Sequence, residues 1–139
     1  MRGDGPPIVL LHAGGDSIAS TFGAQLAPFS AHHRVIALEQ VGHGHTPDLH
    51  GPLTYAGMMK DTAALLEQLQ IRSAGVVGLS DGAILALMLA ARRPELVGSL
   101  VASGANVEPD GIVPEQIAYL KSRTGNGDDI GDKLGRLWL

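Results

Sequence analysis

Cysteine is absent from the 139 residues, which excludes a disulfide framework, a thiolate-held metal and a cysteine nucleophile. Positive charge is scarce: 10 Lys and Arg against 14 Asp and Glu leave a formal net charge of −4. That balance carries no electrostatic footprint for nucleic acid or for an anionic membrane surface. A membrane span needs roughly 20 apolar residues, and the longest run here, Ala83 to Ala91, has nine. No charged segment followed by an apolar one opens the chain, so no signal peptide is read and a cytoplasmic location is the default expectation. Repeats and low-complexity segments are also missing. What is present is 45% hydrophobic residues and a mean hydropathy of +0.14, enough for one globular domain with a proper core.

The apolar residues fall into short blocks separated by turn signals. Ile8–His12 is a short continuous apolar run, the pattern of a parallel strand buried on both faces, Arg34–Glu39 reads as a second buried strand, and Ala74–Leu79 and Leu96–Ser103 as a third and a fourth. Between them lie helical patterns: about Ser20 to Ser30, Thr54 to Gln70 with Thr54 as N-cap, and Asp81 to Arg93 stopped by Pro94. Strand and helix alternate three times before a last strand. This predicts an α/β fold with a parallel sheet flanked by helices on both faces. Beyond Asn106 the pattern turns Gly- and Asp-rich, with one helix expected around Pro114 to Arg123.

The segment "VVGLSDGAILALMLAA", Val76 to Ala91, places Ser80 at the break between a strand and a helix. Gly78-Leu79-Ser80-Asp81-Gly82 fits G-x-S-x-G in the strand–turn–helix context that this motif requires. So sharp a reversal strains the backbone at the serine, and side chains two residues to either side would clash. The serine oxygen is then lifted above the sheet's carboxyl edge, beside helix amides that favour developing negative charge. Two plainer readings compete. Ser80 could be an ordinary N-cap. Alternatively, "GLSDGA" could be a degenerate dinucleotide-binding turn with Glu95 as the ribose acid, although Ser80 then spoils the second glycine.

"VLLHAGGDS" ends one strand in His12-Ala13-Gly14-Gly15, and "VGHGHT", Val41 to Thr46, follows the next. With "GLSDG", these stretches resemble in order and spacing the α/β-hydrolase family, in particular its small esterase, lactonase and cofactor-free haloperoxidase branch. The resemblance covers the chain to about Asn106. It departs at Ala13, where the family usually has Gly, and at Glu39, where Asp is common. It implies Ser80 as nucleophile and the backbone N–H groups of Asp81 and Gly14 as an oxyanion hole within the loop His12, Ala13, Gly14, Gly15. Gly78 and Gly82 would be the glycines of the elbow. Asp81 is expected to matter chiefly for its N–H, and His12 as a buried, hydrogen-bonded residue instead of a base. A haloalkane dehalogenase or epoxide hydrolase would need Asp where Ser80 stands.

The resemblance also implies what is missing. The family orders its triad Ser, acid, His, yet all six histidines (His12, His32, His33, His43, His45, His50) precede Ser80. Glu108 and Asp110 stand where a minority of the family carries the acid and are weak acid candidates. The chain therefore reads as strands three to six of an eight-strand sheet, order 4-3-5-6, cut at both ends. Residues 1–106 would form the core and 107–139 the start of a lid. Both outer strands would lack neighbours, so self-association through the sheet edges is expected.

No cofactor and no metal are expected. His43, His45 and His50, with Asp48, read as a solvated turn, and Asp128, Asp129 and Asp132 lack the spacing of a calcium loop. The expected partner is a small acyl substrate, with no nucleic acid or membrane. The function expected is hydrolysis of a small carboxylic ester, lactone or related acyl compound through an acyl-enzyme at Ser80. This chain alone would have little activity, because a serine without a general base stays protonated and weakly nucleophilic. The alternative is a non-catalytic α/β fragment, a binding or scaffold piece.

Overall fold

Four apolar segments become four parallel strands among the residues that the computed structural model describes, 1–48, 51–106 and 113–115. They are β1 (Pro7–Leu11), β2 (Arg34–Leu38), β3 (Ala74–Leu79) and β4 (Val97–Ser103), with helices α1 (Ile18–Ser30), α2 (Tyr55–Gln68) and α3 (Asp81–Arg92) between them. The spatial order is β2-β1-β3-β4, the arrangement expected as 4-3-5-6. The last predicted strand starts one residue late, because Pro94 opens a short 3-10 turn, Pro94–Leu96, that takes up Leu96. No described helix is long and apolar enough to cross a membrane.

Alternation along β1 divides the core. Val9 and Leu11 face α2 and α3 with Ile36, Leu66, Val76, Leu85 and Leu89. Ile8 and Leu10 face α1 with Ile18, Phe22 and Val35. Residues of period 2 thus feed two layers from a single strand. α1 begins with a capping box, Ser17 and Ser20 each bonding the other's backbone N–H. α2 begins with Thr54 Oγ1 accepting from Gly57 N at 3.0 Å.

The outer edge of β2 is not bare as the family order suggested. Arg2 N donates to Val35 O at 3.1 Å and Val35 N to Arg2 O at 2.8 Å, an antiparallel bridge that blunts that edge at one point. On the other side β4 has no strand partner on its outer edge among the described residues, and Val101 is 57% exposed.

α2 ends in a Schellman motif: Ile71 N donates to Leu66 O and Gln70 N to Glu67 O, both at 2.9 Å. This holds Gln70 at φ 58, a left-handed conformation that disfavours any side chain. Gln70→Gly is expected to stabilise the fold by about 1 kcal/mol, a rise of roughly 3 °C in a thermal melt. An unchanged or lower melting temperature would count against that geometry.

Candidate active site

The carboxyl ends of β1 and β3 lie side by side, Leu11 opposite Gly78, so the segments that leave them, His12–Gly15 and Ser80–Gly82, meet at one edge of the sheet. Ser80 makes the reversal from β3 into α3 at φ 53, ψ −117, a conformation that costs a non-glycine residue on the order of 1–3 kcal/mol. Its N–H is used within the fold, donating to Ser103 O at 2.8 Å, and its carbonyl accepts from Ala83 N and Ile84 N. Its side chain makes no capping bond to α3, so the helix-cap reading does not describe it. The glycines flanking it have no room for a side chain. A Cβ on Gly78 would strike the Gly82 carbonyl, and one on Gly82 the Leu11 carbonyl. The amides of Asp81 and Gly82 belong to the first turn of α3, where no intrahelical carbonyl can meet them and the helix dipole favours an anion.

The His12–Gly15 loop is held from below. His12 is 2% exposed. Gln40 N–H donates to its Nε2 at 3.0 Å, so the ring proton sits on Nδ1, which donates to Ala13 O at 2.7 Å. Both ring nitrogens are thus engaged, and the residue shapes the loop instead of abstracting protons. Gln40, also buried, continues the network to Thr62 Oγ1 at 3.2 Å, and Thr62 donates to Met58 O at 2.9 Å. Ala13 N is drawn to Thr21 Oγ1 at 3.4 Å, and Thr21 in turn donates to Asp16 at 2.9 Å. Hydrogen bonds from Ser20 and Thr21 hold the Asp16 carboxyl below the ordinary carboxylate range. Gly15 needs its left-handed φ of 68, whereas Gly14 needs space: a Cβ there would collide with the Asp81 carboxylate.

The turn after β2 is closed by Glu39, whose side chain is 14% exposed. One carboxylate oxygen accepts from His45 N at 2.7 Å and pairs with the exposed His45 Nδ1 at 2.9 Å. The other accepts from Ile18 N at 3.2 Å, tying the turn to the start of α1. The bond from His45 N–H, then that from its ring, hold the Glu39 carboxyl below its ordinary range. A depressed folded-state pKa gives stability that is present above the unfolded value and lost as pH falls through the folded one. Acid melts are therefore expected to show a loss below about pH 4.5 that Glu39→Gln flattens. Parallel pH profiles for the two proteins would refute the tie. His43 Nδ1 donates to Val41 O at 2.9 Å, and its ring lies 5.1 Å from that of His12.

Of the predicted site residues, Ser80, Asp81, Gly78, Gly82 and the loop His12-Ala13-Gly14-Gly15 come together at this edge. Glu108, Asp110 and His50 lie outside the described residues, as does the segment read as a lid, apart from residues 113–115. Glu95 faces Arg93 at 2.6 Å on the surface, engaged away from the Ser80 turn. Among the described residues no three His, Asp or Glu side chains gather as metal ligands.

The Asp81 carboxylate is engaged as well, a contact outside the expectation that this residue matters chiefly for its N–H. Its Oδ1 accepts from the Tyr55 hydroxyl at 2.9 Å. Burial first, then the Asp81 charge and this bond, push the Tyr55 hydroxyl well above the usual tyrosine range. Sequence reasoning passed over Tyr55. The signal was weak but available, since a tyrosine at the buried start of a helix needs an acceptor for its hydroxyl.

A model of the alpha/beta hydrolase fold family matches residues 6–133. The provisionally named non-heme bromoperoxidase BpoC of Mycobacterium tuberculosis is 39% identical over 101 residues, covering 72% of this chain and 38% of the relative. A 2-hydroxy-6-oxo-2,4-heptadienoate hydrolase of Pseudomonas putida is 35% identical over 107 residues, 74% of this chain and 38% of that protein. The crystal structure of an enol-lactonase from Burkholderia xenovorans superposes with a TM-score of 0.72 at 29% identity, covering 88% of this chain and 47% of that one. The chain thus spans about two fifths of the length of these two curated relatives.

Proposed function

This chain belongs to the alpha/beta hydrolase fold family, and on that premise we propose that it carries the nucleophile and oxyanion side of a serine hydrolase for small esters or lactones. The observation that supports this most directly is Ser80 itself. It is held at φ 53 between β3 and α3, its N–H is spent on Ser103 and its side chain makes no cap bond. Strain of this kind persists where a fold over-determines it, and it gathers at functional positions. The relatives named as an enol-lactonase and a 2-hydroxy-6-oxo-2,4-heptadienoate hydrolase support a small acyl substrate.

In this reading Ser80 Oγ attacks the acyl carbonyl, forming an O–C bond while its proton passes to a base. The carbonyl oxygen becomes an oxyanion that accepts from the N–H groups of Asp81 and Gly14. Each such donor stabilises the transition state by on the order of 3 kcal/mol. Collapse expels the alkoxide, which takes up a proton, and water then releases the acid from Ser80. Among the described residues the histidines near the site are engaged elsewhere: His12 with Gln40 and Ala13, His43 with Val41, His45 with Glu39. The hydroxyl is therefore expected to react slowly in the 139-residue chain.

The test is covalent labelling of Ser80 by a fluorophosphonate alongside p-nitrophenyl ester turnover. Slow labelling mapped to Ser80, with turnover lost in Ser80→Ala, supports the reading. Turnover unchanged in Ser80→Ala refutes it, and rapid stoichiometric labelling refutes the expected slow reaction.

A further inference from the structure

We infer that Tyr55 and the carboxylate of Asp81 form a clamp that sets the oxyanion loop against the nucleophile turn, making both of them positioning residues for the chemistry at Ser80. The inference rests on the reading of Ser80 as nucleophile and of the Asp81 and Gly14 amides as oxyanion donors.

Three observations carry it. Tyr55 is 2% exposed at the start of α2, and its hydroxyl donates to Asp81 Oδ1 at 2.9 Å. The second carboxylate oxygen, Oδ2, occupies the space that a Cβ on Gly14 would fill. Gly14 does not have a positive φ, so its backbone suits any residue and only the Asp81 carboxylate demands glycine there. One side chain therefore spans from α2 to the oxyanion loop.

The same residue supplies the other expected donor from its own N–H. Asp81 is thus bonded into the first turn of α3, pinned by Tyr55 at one oxygen and pressed against Gly14 by the other. A carboxylate tip can ordinarily swing aside to admit a methyl group. Here swinging costs the charge-assisted bond from Tyr55, so the tip behaves as a fixed stop. Because the Tyr55 hydroxyl titrates far above neutrality, it keeps its proton and stays a donor throughout the working pH range.

Two measurements test the clamp in the 139-residue chain. The first is a thermal cycle of Gly14→Ala and Tyr55→Phe. Gly14→Ala is expected to lower the melting temperature by roughly 5 °C alone, and by less than half of that once Tyr55→Phe has released the carboxylate. The second is the rate of Ser80 phosphonylation at saturating fluorophosphonate, in which Ser80 Oγ bonds to phosphorus, fluoride leaves and the serine proton passes to buffer.

Tyr55→Phe and Asp81→Ala are each expected to slow that step about tenfold, with the half-saturating concentration shifted less than about twofold. Asp81→Asn keeps an acceptor oxygen and the same volume, and is expected to restore the rate to within about threefold of the parent. A purely structural role would lower melting temperatures without this split or this rescue. Wild-type rates in Tyr55→Phe and Asp81→Ala overturn the clamp, as does an equal Gly14→Ala penalty in both backgrounds. Should Tyr55→Phe fail to fold, the cycle of Gly14→Ala with Asp81→Ala decides in the same way. If Ser80 is not labelled even in the parent, the functional reading fails by itself, and the thermal cycle still judges the clamp.

Discussion

Ser80→Gly is expected to raise the melting temperature while abolishing every covalent reaction at this position. At φ 53, ψ −117 a Cβ is strained, and glycine has none. Relief of on the order of 1–3 kcal/mol corresponds to roughly 3–10 °C for a domain of this size. Ser80→Ala makes the matched control. It keeps the strained Cβ and, because the serine side chain caps nothing, should leave stability within about 0.5 kcal/mol of the parent. Fluorophosphonate labelling should vanish in both. The contrast separates a nucleophile from a cap: an ordinary N-cap serine loses about 1 kcal/mol on becoming alanine and little on becoming glycine. A fall in melting temperature for Ser80→Ala with no rise for Ser80→Gly would therefore sink the strained-elbow account.

Gly82→Ala is expected to be the most damaging single methyl group in the described residues, costing about 3 kcal/mol, the upper part of the usual overpacking range. Its Cβ would press into the carbonyl of Leu11 and lie 2.6 Å from that of His12. Neither can withdraw. Leu11 is hydrogen-bonded into the sheet between β2 and β3, and His12 is locked by Gln40 and Ala13. α3 would have to lift from β1, opening the contacts that bury Ala83 and Ala86 and moving Ser80 with them. Urea unfolding should show the lower midpoint with an unchanged slope. A loss below about 1 kcal/mol would mean that α3 has slack against β1.

Much of the fold was readable because short, largely apolar segments of strand length alternate with helical spacing, and Val76–Ala91 changes period at Ser80; only β1 is buried along nearly its whole length, whereas β4 is largely exposed. The β2-β1-β3-β4 order came from family resemblance, since nothing in one strand's composition names its neighbours. The Arg2–Val35 bridge was illegible: it is made of main-chain groups, which every residue carries. Asp81 was read for its amide because adjacency to Ser80 is a local fact. Its carboxylate meets Tyr55, 26 positions away, a distance over which no sequence spacing specifies contact. Likewise His12 was expected to be buried, but the Gln40–Thr62 chain beneath it links three elements and has no linear signature.

The sequence by itself determined the alternation of strand and helix, the glycine pair that makes Ser80 sterically possible, and the absence of cysteine chemistry. These depend on backbone propensity and residue volume, properties that act over a few positions. Tertiary structure alone decided that Gly14 must be glycine, that Asp81 points its charge at Tyr55, and that Glu39 ties the turn after β2 to the start of α1. Those outcomes depend on which carboxylate fills which space once the carboxyl ends of β1 and β3 are brought together, and only the packed sheet sets that.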